Sequence, residues 1–505
     1  MKNTILSVLM ILVLGPVSFS QNEVDALRFS ETRVIGTARS ASMSGAFGAL
    51  GADFSSLSTN PAGIGLYRTS EFVLTPQLYF ASVDATYQNS LRNDQKENFN
   101  FSNIGLVLTQ DIPDRLNKGG WKYIQFGVGM NRLKNFNYRT IMEGVNSQNT
   151  MGEYFADIAN NSGLSYSVIE NDEFDEFPYL NPAWWSYAID TLPGGGGNQY
   201  VSRSADAPYN QKQINHTWGS MNEISFSFGA NYNDKLFLGA SLGFPYIRYY
   251  QERSYTETNT AQGIDEVSYR RFQVNDELIT KGTGFNLKLG LIYKPVQWLR
   301  IGGAVHTPTW YSNMTDELVV DMNTSYDTPD SEGNYDYYAS FPYYSNSAIY
   351  EYDLKTPFRA MGNLALFFGP FGLLSVDYEF IDYSTAKLRG YDYDFDMENQ
   401  AIANKYIATH NFKFGTEWRY TNFAFRGGYA IYQSPFSNNI NDGAQTYYSA
   451  GIGYRIDNFF LDFAWLHMTE KEDYYLYGNQ DIQVAPANID YNTNRFMLTL
   501  GFKFN

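Results

Sequence analysis

The chain has 505 residues, a formal net charge of −17 and no cysteine, and 17% of its residues are aromatic. An acidic chain without a cluster of Lys and Arg would repel a polyanion, which argues against nucleic acid as a partner. The excess of Tyr, Phe and Gly favours aromatic girdles and closely packed strands over two or three soluble domains.

Residues 1–20 have the pattern of a secretory signal peptide. Lys2 supplies a positive start, Ile5–Leu14 is almost wholly apolar, and Ser18 and Ser20 place small residues at the cleavage positions. The apolar run is short for a membrane-spanning helix. We therefore expect export by this signal peptide and a mature start at Gln21. Together with the strand pattern from residue 70 onward, the signal peptide predicts the outer membrane of a Gram-negative cell as the destination.

Residues 21–69 precede the first strand and do not alternate between apolar and polar side chains. Small residues dominate from Gly36 to Gly65, and Asn60-Pro61 is typical of a turn or a helix start. This pattern predicts a compact helical hairpin whose small side chains permit close packing. We expect it to form a small helical hatch in the lumen of a barrel, and a small periplasmic subdomain is the alternative.

From residue 70 onward, apolar residues alternate with small or polar ones, as in a strand between lipid and a lumen. The last strand shows this most clearly, because one face carries Phe496, Leu498, Leu500, Phe502 and Phe504. The longest later apolar run, Leu364–Val376, is too short for a spanning helix and is broken by Gly369-Pro370. The sequence predicts an all-β fold, a transmembrane antiparallel β-barrel of about 14 strands over residues 70–505.

Short turns such as Asn233-Asp234 and Asp457-Asn458 alternate with long polar connections, as periplasmic turns and extracellular loops do in membrane barrels. We expect extracellular loops at 135–219, 251–266, 312–349, 385–404, 434–444 and 469–491, of which 135–219 and 312–349 are the longest. Charges of both signs on the lumen face can pair with each other or with a plug. These residues are Lys288, Asp377, Glu379, Lys413, Glu417, Arg419 and Arg455.

The segment GTARSASMSGAFGALGADFSSLSTNPAGIGLYR at 36–68 resembles the N-terminal hatch of the outer-membrane long-chain fatty-acid transporter (FadL/TodX) family, with NPAG at 60–63. The hairpins at 287–310, 412–436 and 447–468 are similar to the strand–turn–strand units of that family. The resemblance implies a barrel that takes a hydrophobic small molecule as ligand and contacts outer-membrane lipid. We further expect a monomer that uses no cofactor or metal. The resemblance also implies ligand contacts in the hatch, for which the candidates are Phe47, Leu50, Asn60, Pro61, Ala62 and Gly63.

The family resemblance further implies that the ligand leaves sideways, through a kinked third strand. In WKYIQFGVGMNRL at 121–133 the inward residues include Gly127 and Gly129, which could allow a bend or a bulge. These two glycines are the candidates for the kink. Close packing is the other interpretation, because other strands also have inward glycines.

An apolar landing site for the ligand would have to come from the long loops. Tyr154, Phe155 and Ile158 share one face of a short predicted helix, and Trp184 and Trp185 add an aromatic cluster. Apolar residues in an exposed acidic loop are typical of ligand capture. The alternative is that they pack together to order the loop.

No nucleophile or zinc-protease motif accompanies the four histidines, so we expect no enzymatic activity. No pair of histidines is visibly arranged to ligate heme, which makes heme a weaker ligand candidate. The sequence favours passive uptake of hydrophobic molecules, such as long-chain fatty acids, through a plugged barrel. A general porin and a barrel that serves as scaffold or partner of a secretion or surface complex are the alternatives.

Overall fold

The computed structural model describes residues 23–505 except 34–35, 114–118, 173–176, 205–207, 261–268, 329–336, 345–346, 392, 438–439 and 480. The signal peptide predicted at 1–20 and the mature start predicted at Gln21 lie outside the described residues. Among the described residues, no helix combines the length and the apolar character needed to cross a bilayer.

Fourteen antiparallel strands form one closed sheet, because the first strand pairs with both the second and the last. The predicted fold class is thereby confirmed. The strands are β1 Ser70–Tyr87, β2 Ser90–Asp111, β3 Trp121–Asn135 continued by Tyr138–Asn146, β4 Tyr209–Tyr232, β5 Leu236–Asn259, β6 Tyr269–Val296, β7 Leu299–His306 continued by Trp310–Thr328, β8 in three pieces (Tyr337–Tyr344, Ala348–Lys355 and Arg359–Phe368), β9 Gly372–Asp382, β10 Ala408–Tyr420, β11 Phe423–Tyr432, β12 Gln445–Ile456, β13 Phe459–Tyr474 and β14 Ala487–Phe504.

Short helices lie in the connections and before β1. They are α1 Glu23–Ser30, α2 Ala38–Ala41, α3 Met151–Ser162, α4 Tyr166–Glu170, α5 Leu180–Trp185 and α6 Asp396–Lys405, with 3-10 turns at Phe54–Leu57, Pro61–Leu66 and Tyr383–Thr385. The predicted helical hairpin within 36–65 is therefore wrong in detail, because this stretch consists of one turn of α-helix and two 3-10 turns. Its many glycines and serines favour turns over long helices.

The alternation on β14 follows the prediction. Phe496, Leu498 and Phe502 are 38%, 37% and 50% exposed, whereas Met497 and Thr499 are fully buried. The outward face of the barrel is therefore apolar and uncovered, as a lipid-facing wall requires, and the inward face is packed.

Both chain ends of the barrel lie at the same rim, because Ser70 pairs with Phe504. The tight turns that join β4 to β5 and β12 to β13 lie at this rim, where Asn233, Asp234 and Asp457 adopt positive φ angles. The long connections lie at the opposite rim.

The strands continue well past the apolar belt on the loop side. On β5 the last well-exposed apolar side chain is Phe244, yet the strand runs on to Asn259. Strand residues consequently occupy parts of the predicted loops 135–219 and 312–349, and the connection between β3 and β4 covers only 147–208. Beyond the bilayer neither face needs to be apolar, so the alternation that reveals a strand fades there.

The described residues of the connection 147–208, here called the cap, pack against the inward side chains of the extended strands. Its helix α3 begins with a capping box in which Thr150 and Glu153 bond each other's backbone N–H groups. Phe155 of α3 contacts Phe272 of β6 edge to face at 6.2 Å, within an apolar cluster that also contains residues of β1, β4, β5, β7 and β14. The cap thus lies over the loop-side end of the lumen.

Candidate ligand cavity and wall opening

The N-terminal segment (residues 23–69) bonds to inward-facing side chains of the strands. The Asn60 side chain accepts from the Ala62 N–H at 3.2 Å and donates to the Gly48 carbonyl at 2.8 Å, which holds the turn at the start of NPAG. A Cβ on Gly290 of β6 would lie 2.0 Å from Asn60 Oδ1, and one on Gly239 of β5 would lie 2.2 Å from the Pro61 carbonyl carbon. These wall glycines leave the space that NPAG occupies.

Wall charges also bind the N-terminal segment. Asp377 of β9 accepts from the backbone N–H groups of Phe47 and Gly48 at 2.9 and 2.8 Å. Arg39 donates to Glu417 of β10 at 3.1 Å. The lumen charges therefore contact this segment as well as one another.

Other lumen charges pair across the wall. Glu417 also accepts from Arg426 at 2.6 Å, and Arg426 reaches Asp462 at 2.7 Å. Lys413 pairs with Glu379 at 3.2 Å. Lys288 pairs with Glu223, and Arg455 lies 3.7 Å from Asp462. Removal of one member of such a buried pair leaves an uncompensated charge, which costs about 3–5 kcal/mol.

The six hatch residues predicted to touch ligand are buried against the wall. Phe47 and Leu50 are 1% and 3% exposed and pack with Ala365 and Leu373, and Asn60–Gly63 lies on β5 and β6. The six residues are absent from the lining of the large cavity described below. Their contacts position the N-terminal segment.

Gly127 and Gly129 lie in a regular part of β3. Gly127 pairs with Val107 of β2, Gly129 pairs with Gly105, and the ladder has no register shift between them. A Cβ on Gly129 would lie 2.5 Å from the Phe54 ring. These glycines leave space for the N-terminal segment. The strand is regular at Gly127 and Gly129, and its interruption lies elsewhere.

The strand β3 is itself interrupted higher, at residues 136–137, and its pairing with β2 stops before that point. The β2–β3 ladder ends at the pair Asn103–Asn131, and above Ser102, which lies at a bulge, Ser90–Phe101 of β2 pairs only with β1 among the described residues. The upper part of β3, Tyr138–Asn146, pairs only with β4. Among the described residues, the wall therefore has a break between β2 and β3 above Asn103, here called the wall break.

The upper part of β3 is displaced inward from the barrel wall and packs against the inner face of β1 and β14. The Tyr138 ring contacts those of Tyr79 of β1 and Tyr491 of β14 at 6.0 and 5.3 Å. The bent backbone is satisfied locally, since the Phe136 N–H donates to Gly219 at 3.2 Å and the Thr217 hydroxyl donates to Phe136 at 2.7 Å.

Defined groups border the wall break. Across the upper part of the break, Arg139 pairs with Asp94 at 3.1 Å and Arg92 pairs with Glu143 at 3.0 Å, and these ion pairs join β2 to upper β3 in place of backbone bonds. Phe101 projects outward from β2 beside the break and is 41% exposed. The break thus opens beside lipid-facing aromatic side chains.

A cavity of about 290 Å³, here called the central cavity, lies directly behind the wall break. Ser102 of β2 and residues 132–136 of β3 form its side at the break. Val24 and Leu27 of α1, together with Tyr249, supply apolar and aromatic surface. Sequence reasoning missed this site, although the Asn-rich NFN at 135–137 is a turn signal that could have located the interruption.

The predicted capture residues lie in the cap and differ in exposure. Tyr154, Phe155 and Ile158 are 8%, 3% and 9% exposed, Trp184 is partly buried, and Trp185 is 43% exposed. Tyr154 and Phe155 line a second cavity of about 220 Å³, here called the cap cavity. The first three residues therefore belong to the packed interior of the cap, as the loop-ordering alternative expects, and two of them also line a cavity.

Comparison with solved structures finds the same fold in several channels. A Pseudomonas aeruginosa FadL homologue is 14% identical with a TM-score of 0.53, over 93% of this chain and 98% of that one. The P. putida toluene transporter TodX is 12% identical with a TM-score of 0.53, over 94% and 99%. The Ralstonia pickettii toluene transporter TbuX is 14% identical with a TM-score of 0.51, over 94% and 99%.

Neither the protein-family models nor the curated proteins include a match to this chain. At 12–14% identity the structural likeness establishes the fold alone.

Proposed function

We propose that this protein is an outer-membrane channel for passive uptake of hydrophobic small molecules, which leave the central cavity sideways through the wall break. The observation that carries the proposal is the position of the break, since it lies between the central cavity and outward aromatic side chains. A hydrophobic molecule gains roughly 25 cal/mol for each Å² of apolar surface that leaves water, so its transfer from external water to the bilayer is downhill, and the break lets it reach the bilayer without returning to water.

The N-terminal segment closes the periplasmic end in this proposal. It is bonded to β9 through Asp377, to β10 through Glu417 and to β14 through Thr499, whose hydroxyl accepts from the Ala38 N–H at 2.7 Å. Moving it aside would break several buried hydrogen bonds at once. A sideways exit leaves these bonds intact.

The cap cavity is the entry in this proposal. It lies between α3 and inward aromatic side chains of the extended strands, and its lining includes Tyr154, Phe155 and Tyr255. The barrel has an aromatic-lined cavity near the loop-side rim and a larger cavity at the wall break. A ligand that enters from outside would meet the cap cavity first and the central cavity second. The compared structures named as toluene transporters and a FadL homologue support a transport role over an enzymatic one.

A general porin is the alternative that the same structure opposes, because the cap and the N-terminal segment occupy the lumen near its two ends. Reconstitution in planar bilayers and vesicles tests the proposal. We expect the full mature chain to accelerate the uptake of a labelled hydrophobic compound and to conduct ions poorly. Large ion conductance without such uptake would support the porin and refute the proposal.

A further inference from the structure

Basic side chains surround the mouth of the barrel at the rim that carries the tight turns, which is the periplasmic rim in the proposed orientation. Five of them, here called the basic mouth, lie near the ends of five different strands: Lys294 of β6, Arg300 of β7, Arg419 of β10, Arg455 of β12 and Lys503 of β14. Their sequence neighbours on the outer wall are exposed, namely Tyr293, Ile301, Trp418, Ile456 and Phe502. Because side chains alternate between the two faces of a strand, the five cations point towards the mouth and away from lipid.

Three of the five cations are paired with carboxylates that lie beneath them. Glu417 pairs with Arg419, and Asp462 and Glu71 lie 3.7 and 3.9 Å from Arg455 and Lys503. The three carboxylates are buried, whereas the three basic side chains are 35–50% exposed. The groups that reach the water at the mouth are therefore the cations, although each of them has a carboxylate nearby.

The other two cations have no carboxylate within ion-pair distance among the described residues. Arg300 donates from one terminal nitrogen to the Leu50 carbonyl at 2.5 Å, and its Nε has no hydrogen-bond partner. Lys294 is half-buried and lies next to the turn that holds the exposed Lys235. These groups keep an uncompensated positive charge that an added anion can neutralise.

Exposed carboxylates are fewer than cations at this rim among the described residues. Asp234 is shared by Arg68 and Lys122, the second at 2.6 Å, and Asp111 and Asp457 lie at other turns. The whole chain has a net charge of −17, so its acidic excess lies away from this rim. The basic mouth is thus a positive surface on an otherwise acidic protein.

The turns that carry the basic mouth are bonded to one another. The backbone N–H of Lys503 donates to Asn458 at 2.7 Å, and that of Arg455 donates to Asn422 at 3.1 Å. The Lys294 N–H donates to Lys235 at 2.7 Å in the same way. A surface that is already ordered loses little conformational freedom when a partner binds.

We propose that the basic mouth docks an acidic, Asp- and Glu-rich segment of a periplasmic protein. Charge complementarity favours such a partner, because the exposed cations attract carboxylates and steer their approach. Lipid phosphates surround the outside of the wall, whereas these side chains point into the mouth, so a soluble partner fits the geometry better than a lipid headgroup. The inference goes beyond the proposed uptake and depends only on the orientation of the barrel.

Binding of a fluorescent decaglutamate peptide to the full mature chain in phosphatidylcholine nanodiscs tests this inference by fluorescence anisotropy. Lys294→Gln/Arg300→Gln should weaken binding roughly fivefold or more at low ionic strength, and added salt should weaken wild-type binding. Because Arg300 also holds Leu50, Lys235→Gln/Lys294→Gln is a second variant that leaves the bonds of the N-terminal segment intact, and it should weaken binding similarly. Lys212→Gln/Lys387→Gln is the matched control, since it removes two exposed cations on the loop side, and it should change binding less than about twofold.

Wild-type protein that does not bind the peptide, or variants that lose no more affinity than the control, would overturn the inference. Phosphatidylglycerol in the nanodisc separates a protein partner from a lipid. We expect the difference between wild type and the two variants to persist with this anionic lipid present. If the lipid erases the difference, its headgroups occupy the basic mouth and the proposed protein docking is wrong.

Discussion

Glu417→Gln should destabilise the barrel more than any change to a surface ion pair. The Glu417 carboxylate is 1% exposed and accepts from Arg39 at 3.1 Å and from Arg419 and Arg426 at 2.6 Å each. The amide keeps the shape but loses the charge that compensates these three cations. Because Arg426 is itself buried, we expect a loss of about 3–5 kcal/mol in the free energy of unfolding.

Urea unfolding of the protein refolded into lipid vesicles, followed by tryptophan fluorescence, measures this loss. With a slope of about 1–3 kcal/mol per M, the midpoint should fall by roughly 1 M or more. Glu143→Gln is the matched control, because Glu143 pairs with Arg92, whose side chain is 44% exposed. This substitution should lower the free energy of unfolding by less than about 1 kcal/mol.

Coupling between Glu417 and Arg39 would show that this cluster holds the N-terminal segment and not only the wall. The double variant Glu417→Gln/Arg39→Gln should lose less than the sum of the two single losses. A Glu417→Gln loss below about 1 kcal/mol, or strictly additive losses, would refute the reasoning.

Two further predictions concern the contacts at either end of the lumen. Gly290→Ala places a Cβ 2.0 Å from Asn60 Oδ1 and should cost about 1–3 kcal/mol in vesicle unfolding, whereas Gly362→Ala meets nothing within 4 Å and should be nearly neutral. Equal costs would contradict the packing of NPAG on β6. Glu257 lies on β5 beyond the apolar belt and accepts from the Met151 N–H of the cap at 2.8 Å, and burial raises its pKa to about 7. Because this folded-state pKa exceeds the unfolded value, the stability that the protonated carboxyl contributes is complete below about pH 4 and is lost as the pH rises through 7. Protease cleavage of the cap should therefore increase between about pH 4 and pH 7 and level off above that, and Glu257→Gln should remove that increase; a pH dependence that survives the substitution would refute it.

The barrel wall was predictable because its rule is local. A strand between lipid and lumen must alternate, so Phe496, Leu498 and Phe502 could be assigned outward from their spacing alone. The turn at Asn233-Asp234 was predictable for a similar reason, since both residues tolerate the positive φ that a tight hairpin needs. The ends of the strands beyond the bilayer were not predictable, because outside the lipid neither face of a strand has to be apolar.

The candidate site was not predictable from the same rules, because it depends on register between distant strands. In the sequence, Gly127 and Gly129 are the residues of β3 that suggest a flexible point. In the structure, Leu57 and Phe54 pack over them, so the glycines serve packing. The wall break follows from where the β2–β3 ladder stops.

Joining the two edges of the wall break tests the central claim most directly. The chain has no cysteine, so Ser102→Cys with Leu133→Cys introduces one pair that a short bifunctional thiol reagent can link across the break. Leu108→Cys with Phe126→Cys is the matched control, because these residues pair in the intact ladder of the same two strands. With a bis-thiosulfonate reagent, which joins the two cysteines through reducible disulfides, we predict that linking the first pair stops uptake of a labelled hydrophobic compound, that reduction of the link restores it, and that linking the control pair has no effect. Uptake that continues unchanged with the break linked would contradict the sideways route.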